Sequence, residues 1–403
     1  MAADPAGRYA ALALLAIAVL LAMSTWFSAS AVVPQLTLAW GLGPGTAAWL
    51  TIAVQLGFVG GALLSASLSL TDIVPPRVVI AGGAAIAASA NLALLAVDSA
   101  GAAIGLRALT GAALAGVYPP AMKAMATWFR RGRGLALGTM VGALTIGSAL
   151  PHLVRAVGGV EWRTVIVTTS ITTVVGGVLA VVGRDGPFAF PAARFDPRAA
   201  LAVVRDPLVR LASYGYLGHM WELYAMWAWI GVFLAASFET GGLGDAERWG
   251  SLAAFAVIAI GGPAAVIGGR LSDRSGRPRI AALALGGSGL AALVIGPAFG
   301  ASPWLVTIIA LLWGATVIAD SARFSAIVTD VADQRYVGTA VTLQLAAGFT
   351  LTVVTIWLVP LIVDTIGWSW AFLILIPGPI VGIVAMRALE RRLSAAAVPA
   401  ALR

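Results

Sequence analysis

Residues 269–279, Gly-Arg-Leu-Ser-Asp-Arg-Ser-Gly-Arg-Pro-Arg, separate two apolar runs, 249–269 and 280–299. Each run has about the 20 residues that a helix needs to cross the hydrocarbon core of a bilayer. A short basic stretch between two such runs predicts a hairpin of two transmembrane helices, with its loop at the membrane surface. The fold therefore depends on how many such runs the chain contains.

Ten more apolar runs of this length interrupt the polar sequence, which gives twelve predicted spans. They lie near 9–33, 46–69, 78–97, 100–122, 134–156, 163–183, 208–236, 303–326, 337–362 and 368–388. The first run is too long for a signal peptide and has no small-residue cleavage site after it, so we expect it to be retained.

The composition excludes several classes of protein. The chain of 403 residues is 60% hydrophobic and only 10% charged, whereas a soluble domain has roughly 25% charged residues. It has no cysteine, which excludes disulfides and thiolate metal sites. It has neither a phosphate-binding loop nor a hydrolase or zinc-protease motif. We therefore expect no enzyme, no cofactor and no metal. The alternatives are a membrane-embedded enzyme and a membrane protein that only binds or senses its ligand.

The longest polar interruption, 184–206, divides the spans into two sets of six. This predicts an all-α integral membrane protein of two pseudo-symmetric six-helix bundles, 1–183 and 208–403, joined by a cytoplasmic linker at 184–207. Within the linker, Phe195 to Leu211 mixes apolar residues with arginines. This segment is either a short helix on the inner leaflet or an irregular loop.

The basic residues predict the orientation. Of 25 lysines and arginines, 21 fall on the side of the N-terminus, three on the other side (Arg155, Arg163 and Arg248), and Arg107 falls within a span. Basic residues concentrate on the cytoplasmic side of membrane proteins. We therefore expect a multi-pass plasma-membrane protein with both termini cytoplasmic. The net charge of +8 need not indicate nucleic acid, and we expect the lipid bilayer as a partner and no nucleic-acid partner.

The basic loop has a degraded counterpart 201 residues earlier, where Asp72 corresponds to Asp273 and is followed by two prolines and Arg77. Glycine allows close helix packing, the aspartate can cap a helix, and the arginines can anchor a tight turn. The loop residues with this predicted role are Gly269, Asp273, Arg274, Gly276, Arg277, Asp72 and Arg77.

This loop resembles the signature of the major facilitator superfamily, although its first-half copy lacks the glycine and most arginines. The fourth span, with Arg107, Gly111, Gly116 and Pro119, is similar to the superfamily's fourth-helix pattern. The resemblance covers the whole chain. It implies a secondary transporter whose two halves rock around a midplane site, usually as a monomer, here in a bacterial inner membrane.

Segments 221–229 and 319–325 resemble bacterial members of the nitrate/nitrite- or cyanate-porter-like group. Nitrate porters of the superfamily carry an arginine in the second and eighth helices, and neither span has one here; Gln55 is the strongly polar residue of the second. Drug antiporters of the superfamily carry a Gly-Pro motif in the fifth helix. In this chain the proline of that span, Pro151, lies near its end and does not follow a glycine.

Ionisable side chains inside a bilayer are costly and are therefore candidates for function. Glu222 lies about 15 residues into the seventh span, roughly 22 Å along the helix, near the midplane. His219 is on the same face, one turn away. We expect Glu222 to take up and release a proton and His219 to tune or relay it. The alternatives are that the two satisfy each other or fix a helix pair.

Three further sets of polar residues have two interpretations each. Arg107 either binds an anion or a carboxylate, or holds the first bundle together through backbone carbonyls. Asp320 and Arg323 form a gate or a helix-packing pair, with substrate contact as the alternative. His152 and Arg155 form an outer gate or entry site, or anchor the interface.

Aromatic residues at equivalent depths in the two halves, Trp26, Tyr224 and Trp227, are expected to line an apolar cavity between them, with Gln55 and Gln344 as weaker candidates. Interfacial anchoring is the alternative for the tryptophans. The predicted function is proton-coupled transport of a small anionic or polar organic solute by alternating access. The alternatives are proton-driven export of hydrophobic, drug-like compounds and uncoupled facilitation.

Overall fold

The computed structural model of the chain describes residues 5–68, 70–129, 132–158, 161–188, 200–333 and 336–401. Within these ranges all regular secondary structure is helical, and twelve helices are long and apolar enough to cross a membrane. We number them α1 to α12: Arg8–Thr25, Pro44–Ser67, Pro76–Ala96, Ala100–Ala126, Gly134–Val157, Trp162–Val182, Pro207–Thr240, Ala246–Ser272, Arg277–Ile295, Pro303–Val331, Val337–Ile366 and Trp368–Ala395. The twelve predicted spans are confirmed.

The helix ends follow local chemistry. At the start of α7, Asp206 accepts hydrogen bonds through Oδ1 from the backbone N–H groups of Leu208 (2.8 Å) and Val209 (3.1 Å). Such a cap satisfies N–H groups that have no partner within the helix. Pro207 occupies the first helical position, where its missing N–H costs nothing. The seventh helix therefore begins within one residue of its predicted start.

The basic loop between α8 and α9 is a one-residue turn. The helical backbone of α8 continues past Ser272 to Ser275, α9 begins at Arg277, and Gly276 between them has φ +85°, a value that favours glycine. Gly269 faces α5, where a Cβ atom would lie 3.3 Å from the carbonyl oxygen of Gly134. Arg277 pairs with Asp330 near the end of α10 and so ties the loop to that helix.

The other predicted loop residues either lie at the surface or have side chains outside the described part of the chain. Arg77 and Arg274 are exposed. The side chains of Asp72 and Asp273 lie outside the described part of the chain, so their capping role stays a prediction. Of the predicted linker, residues 189–199 also lie outside the described ranges. Residues Ala200–Arg205 form a short helix directly before α7.

The first span differs from its prediction as one helix over 9–33. Its α-helix ends at Ala22, two 3₁₀ turns follow at Met23–Thr25 and Ser30–Val32, and a short helix, Val33–Trp40, leads to α2. No proline or glycine lies between Ala22 and Val33. The interruption depends on hydrogen bonds from a distant arginine, described below.

Helices α1–α6 and α7–α12 form two bundles with equivalent packing. The α2–α4, α3–α6 and α1–α6 contacts of the first bundle recur as α8–α10, α9–α12 and α7–α12 in the second. Gly111 of α4 is so close to α2 that a Cβ atom would overlap the Val54 carbonyl oxygen, and Gly314 of α10 meets Val257 of α8 in the same way. Both residues of the second pair lie 203 positions after those of the first. The bundles meet along α5–α8 and α2–α11.

We call the face at which α1 begins the first face and the opposite one the second face. The loop between α8 and α9 lies at the first face, and the loop between α7 and α8 lies at the second.

Candidate functional site

Six buried aromatic side chains form a cluster where the two bundles meet. The aromatic cluster consists of Trp26, Phe27, Phe58, Tyr224, Trp227 and Phe349. Each of these side chains is at most 7% exposed. They come from the interrupted segment after α1 and from α2, α7 and α11. The ring centroids of Trp26 and Phe58 are 4.8 Å apart, and those of Tyr224 and Phe349 are 5.1 Å apart.

Several ring contacts of the cluster cross between the bundles. Trp26 stacks with Tyr224 at a centroid distance of 6.0 Å, and Phe27 meets Trp227 at 5.8 Å. The structure therefore brings together the three aromatic residues predicted to face a cavity. Sequence reasoning missed Phe58 and Phe349, whose centroids are 5.0 Å apart across the same interface.

Four polar groups on the segments that build the cluster are buried without partners. Within the described residues, the amide groups of Gln55 and Gln344 and the indole N–H groups of Trp26 and Trp227 make no hydrogen bond. Gln55 lies one turn before Phe58 in α2 and is completely buried. By contrast, the indole of Trp229 donates to the carbonyl oxygen of Ile356 at 3.0 Å. Because buried polar groups are usually hydrogen-bonded, these four groups indicate a place for a bound polar molecule.

Glu222 lies inside the second bundle. Its Oε2 accepts a hydrogen bond from Ser288 Oγ of α9 (2.8 Å), and its Oε1 accepts one from Trp313 Nε1 of α10 (2.6 Å). The side chain is completely buried. The carboxyl group thus joins α7 to two helices of its own bundle and lies two residues before Tyr224 of the aromatic cluster.

His219 contacts a different acid. Its Nδ1 lies 2.9 Å from Asp320 Oδ1, and both side chains are 1% exposed. Asp320 occupies the interruption of α10, between the helical segments Pro303–Ala319 and Ser321–Val331. Glu222 and His219 therefore have separate partners. Arg323 packs its guanidinium group against Gly268 of α8, so close that no Cβ atom fits there.

Arg107 is enclosed by the first bundle. Its Nε donates to the Leu50 carbonyl oxygen (3.1 Å), Nη1 donates to the Thr25 carbonyl oxygen (2.9 Å), and Nη2 donates to the Trp26 carbonyl oxygen. Nη1 also lies within hydrogen-bond distance of Ser28 Oγ and Asn91 Oδ1. The Thr25 and Trp26 carbonyl oxygens belong to the interrupted segment after α1, so Arg107 holds this segment against α4, while its bond to Leu50 reaches α2. The geometry matches the second of the two interpretations, in which Arg107 holds the bundle together.

An ion pair joins the two bundles at the second face. Arg155 Nη2 of α5 lies 3.1 Å from Glu247 Oε2 of α8, and the side chains are 2% and 58% exposed. His152, one turn before Arg155, is buried against Gly231 of α7. A cavity of about 730 Å³ beside the pair is lined by Ala156, Val157, Glu239, Leu243, Asp245, Ala246, Glu247 and Arg248. This arrangement places His152 and Arg155 at the junction of the halves, as the gate interpretation requires.

The partners of the candidate residues were not evident in the sequence. Ser288, Trp313, Glu247 and Asn91 come from other helices, and each pairing forms only when those helices pack. The presence of Asn91 in an otherwise apolar third span is the one signal available from sequence. In the part of the chain described, no three His, Asp or Glu side chains group as a metal site would.

Twelve helices long and apolar enough to cross a membrane, packed as two pseudo-symmetric bundles, have the fold of a membrane transporter. The family model of the Major Facilitator Superfamily matches residues 15–319, and the chain belongs to this superfamily.

Among solved structures, the chain is similar to the crystal structure of a mutant of the nucleoside transporter NupG. The TM-score is 0.72 and the sequence identity 13%, and the match covers 94% of this chain and 99% of that one. This likeness shows the shared fold alone. No curated protein matches the chain by sequence.

Proposed function

We propose that the protein is a proton-coupled secondary transporter that moves a small polar organic solute by alternating access. The observation that carries this proposal is the aromatic cluster, which both bundles build and which is accompanied by four buried polar groups without partners. A solute held there would contact both bundles at once. Rocking of the bundles would then expose the solute to one face and afterwards to the other.

The polar groups favour a neutral solute over an anion. Gln55 and Gln344 offer amide donors and acceptors. Arg107, the nearest candidate for binding an anion, donates to carbonyl groups of its own bundle. We therefore do not propose that the chain is a member of the nitrate- or cyanate-porter-like group.

Glu222 is our candidate for the coupling group. An ionisable side chain inside a membrane-spanning helix is costly and is therefore a candidate for a functional role. Its hydrogen-bond donors, Ser288 and Trp313, can support the charged form. Glu222 can thus exist in both protonation states, as a carrier of protons must. His219, one turn from Glu222, forms a second buried pair with Asp320.

We also propose in which membrane, and in which orientation, the protein works. The distribution of arginines supports a plasma membrane, with the first face and both termini cytoplasmic. We propose that the protein works as a monomer, since each chain contains both bundles and the complete cluster.

The test is proton movement in proteoliposomes, wild type beside Glu222→Gln, while a panel of neutral, anionic and cationic solutes is offered. We expect solute-dependent proton flux in the wild type and its loss in the variant, with exchange of labelled solute for unlabelled retained. Glu239→Gln, an exposed acid at the second face, is the matched control and keeps the flux. Flux of an identified solute that survives Glu222→Gln and does not follow pH contradicts proton coupling.

A second candidate is proton-driven export of hydrophobic compounds. It is favoured by the aromatic content of the cluster, which suits apolar molecules. The same proteoliposome assay separates the two candidates, because lipophilic cations in the panel would then drive the proton flux. Uncoupled facilitation remains the outcome if solute moves without protons.

A further inference from the structure

We infer that the solute recognised by the aromatic cluster is a planar, uncharged nitrogen heterocycle with both donor and acceptor groups on its edge. This inference rests on the proposed function and narrows its substrate to one chemical class. It is carried by three properties of the cluster: the ring contacts that a solute must replace, the unpartnered groups around them, and the absence of charge among the six residues.

The rings decide the shape of the solute. Contacts between the bundles run through Trp26–Tyr224, Phe27–Trp227 and Phe58–Phe349, with centroid distances of 6.0, 5.8 and 5.0 Å. A solute that enters between the bundles breaks these aromatic contacts. A flat ring offers its own faces and edges in exchange, whereas a saturated or branched solute of equal size cannot replace ring-to-ring contacts. The cluster therefore selects for planarity.

The buried polar groups without partners indicate which polar groups the solute carries. The indole N–H groups of Trp26 and Trp227 are donors, and each amide of Gln55 and Gln344 is a donor and an acceptor together. All four residues are at least 97% buried, so bulk water does not reach them. Amide groups pair with edges that present N–H beside C=O or beside a ring nitrogen. Such edges are typical of nitrogen heterocycles and are missing from purely hydrocarbon rings.

The charges decide that the solute is neutral. None of the six cluster residues is ionisable at neutral pH. Arg107 donates to the Leu50, Thr25 and Trp26 carbonyl oxygens. Glu222 accepts from Ser288 and Trp313 in the interior of the second bundle. A charged solute would be desolvated in the cluster without a counter-charge, which is strongly unfavourable.

Binding to the purified full chain tests the inference. Quenching of tryptophan fluorescence, checked by calorimetry, is measured with uracil, hypoxanthine and nicotinamide as planar neutral probes. The ring-saturated 5,6-dihydrouracil and the planar anion orotate are the comparison probes. We expect at least one planar neutral probe to bind, and dihydrouracil and orotate to bind at least tenfold more weakly than uracil or not at all. No binding of the three planar probes, or equal binding of either comparison probe, overturns the inference.

Variants separate a binding role from a structural one. Gln55→Leu and Gln344→Leu each remove an unpartnered polar group, so we expect a tenfold or greater loss of affinity with a Tm that is unchanged or higher. Trp229→Phe is the matched control, because its indole already has a partner in Ile356; it should lower the Tm and leave the affinity unchanged. If the glutamine variants lower the Tm and keep the affinity, the amides are structural and the inference fails.

Transport distinguishes this inference from the proposed function. If proteoliposomes move a saturated or charged solute and none of the planar probes, the protein is a transporter and the inferred substrate class is wrong. If no solute of the broad panel crosses, the proposed function itself is wrong.

Discussion

Arg155 of α5 and Glu247 of α8 form an ion pair, with 3.1 Å between Nη2 and Oε2, that joins the two bundles at the second face. Arg155 is almost completely buried, while Glu247 is more than half exposed. Pairs with an exposed partner contribute about 0–1 kcal/mol, which shifts an equilibrium by up to about fivefold. The pair is therefore suited to bias, and not to lock, the contact between the bundles at this face.

The first prediction is that Glu247→Gln opens the second face more often. Because the chain has no cysteine, Ser148→Cys provides a single reactive site on α5, one turn from His152 and 1% exposed. We expect its rate of modification by a maleimide to rise about two- to fivefold when Glu247→Gln is added. Glu239→Gln, which removes a charge from the same cavity wall, should leave the rate unchanged. An unchanged rate in Glu247→Gln would show that the ion pair has no part in closing the face.

The second prediction is that Arg107 is required for folding. Arg107→Gln and Arg107→Lys each lose most of the hydrogen bonds that the guanidinium group makes, at about 1–3 kcal/mol for each buried group left without a partner. We expect the Tm of the purified protein to fall in both variants by more than in Arg163→Gln, whose arginine is exposed and stacks on Trp162. Wild-type Tm values combined with lost solute binding would instead make Arg107 a substrate ligand.

The third prediction concerns the two equivalent glycine crossings. Gly111→Ala and Gly314→Ala place a methyl group on a carbonyl oxygen of the neighbouring helix and should destabilise the protein by about 1–3 kcal/mol or more. Gly82→Ala in α3 meets no atom within 4 Å and should be neutral or stabilising by up to about 1 kcal/mol. Thermal unfolding of the three variants measures the difference. Equal Tm values would mean that the helices separate easily at the crossings.

The fourth prediction is the orientation in the membrane. Single cysteines at Gly244, in the loop between α7 and α8, and at Ser275, before α9, lie at opposite faces and are both exposed. In intact cells, an impermeant maleimide should modify Gly244→Cys, and Ser275→Cys should react only after the membrane is permeabilised. The reverse pattern would invert the orientation that the arginines predict.

The spans could be predicted because the membrane imposes length and polarity on each helix separately. The seventh span, expected at 208–236, is found at Pro207–Thr240, and the tenth, expected at 303–326, at Pro303–Val331. The interruption after Ala22 could not be predicted in this way. Arg107, 82 residues from Thr25, donates to the Thr25 and Trp26 carbonyl oxygens of this segment, and nothing in the local sequence indicates that partner.

The candidate site was predictable in part for the same reason. The cost of burying a polar group singled out Glu222, His219, Gln55 and Gln344 without any knowledge of their neighbours. Their partners depend on how distant helices pack. Ser288 is an ordinary serine in the sequence, and only the contact between α7 and α9 brings it within 2.8 Å of Glu222. The shared interface of Phe58 and Phe349 likewise exists only where α2 and α11 meet.

The one-residue turn at Gly276 restricts the movement of α8 relative to α9. Ser275 and Arg277 are two Cα–Cα steps apart, at most about 7 Å, so the end of α8 cannot move farther than this from the start of α9. At its far end α8 holds Glu247, and α9 holds Ser288, the donor to Glu222. The turn at Gly276 therefore couples the two helices. A movement of α8 relative to α5 also moves the start of α9, the helix that carries the hydrogen-bond donor to Glu222.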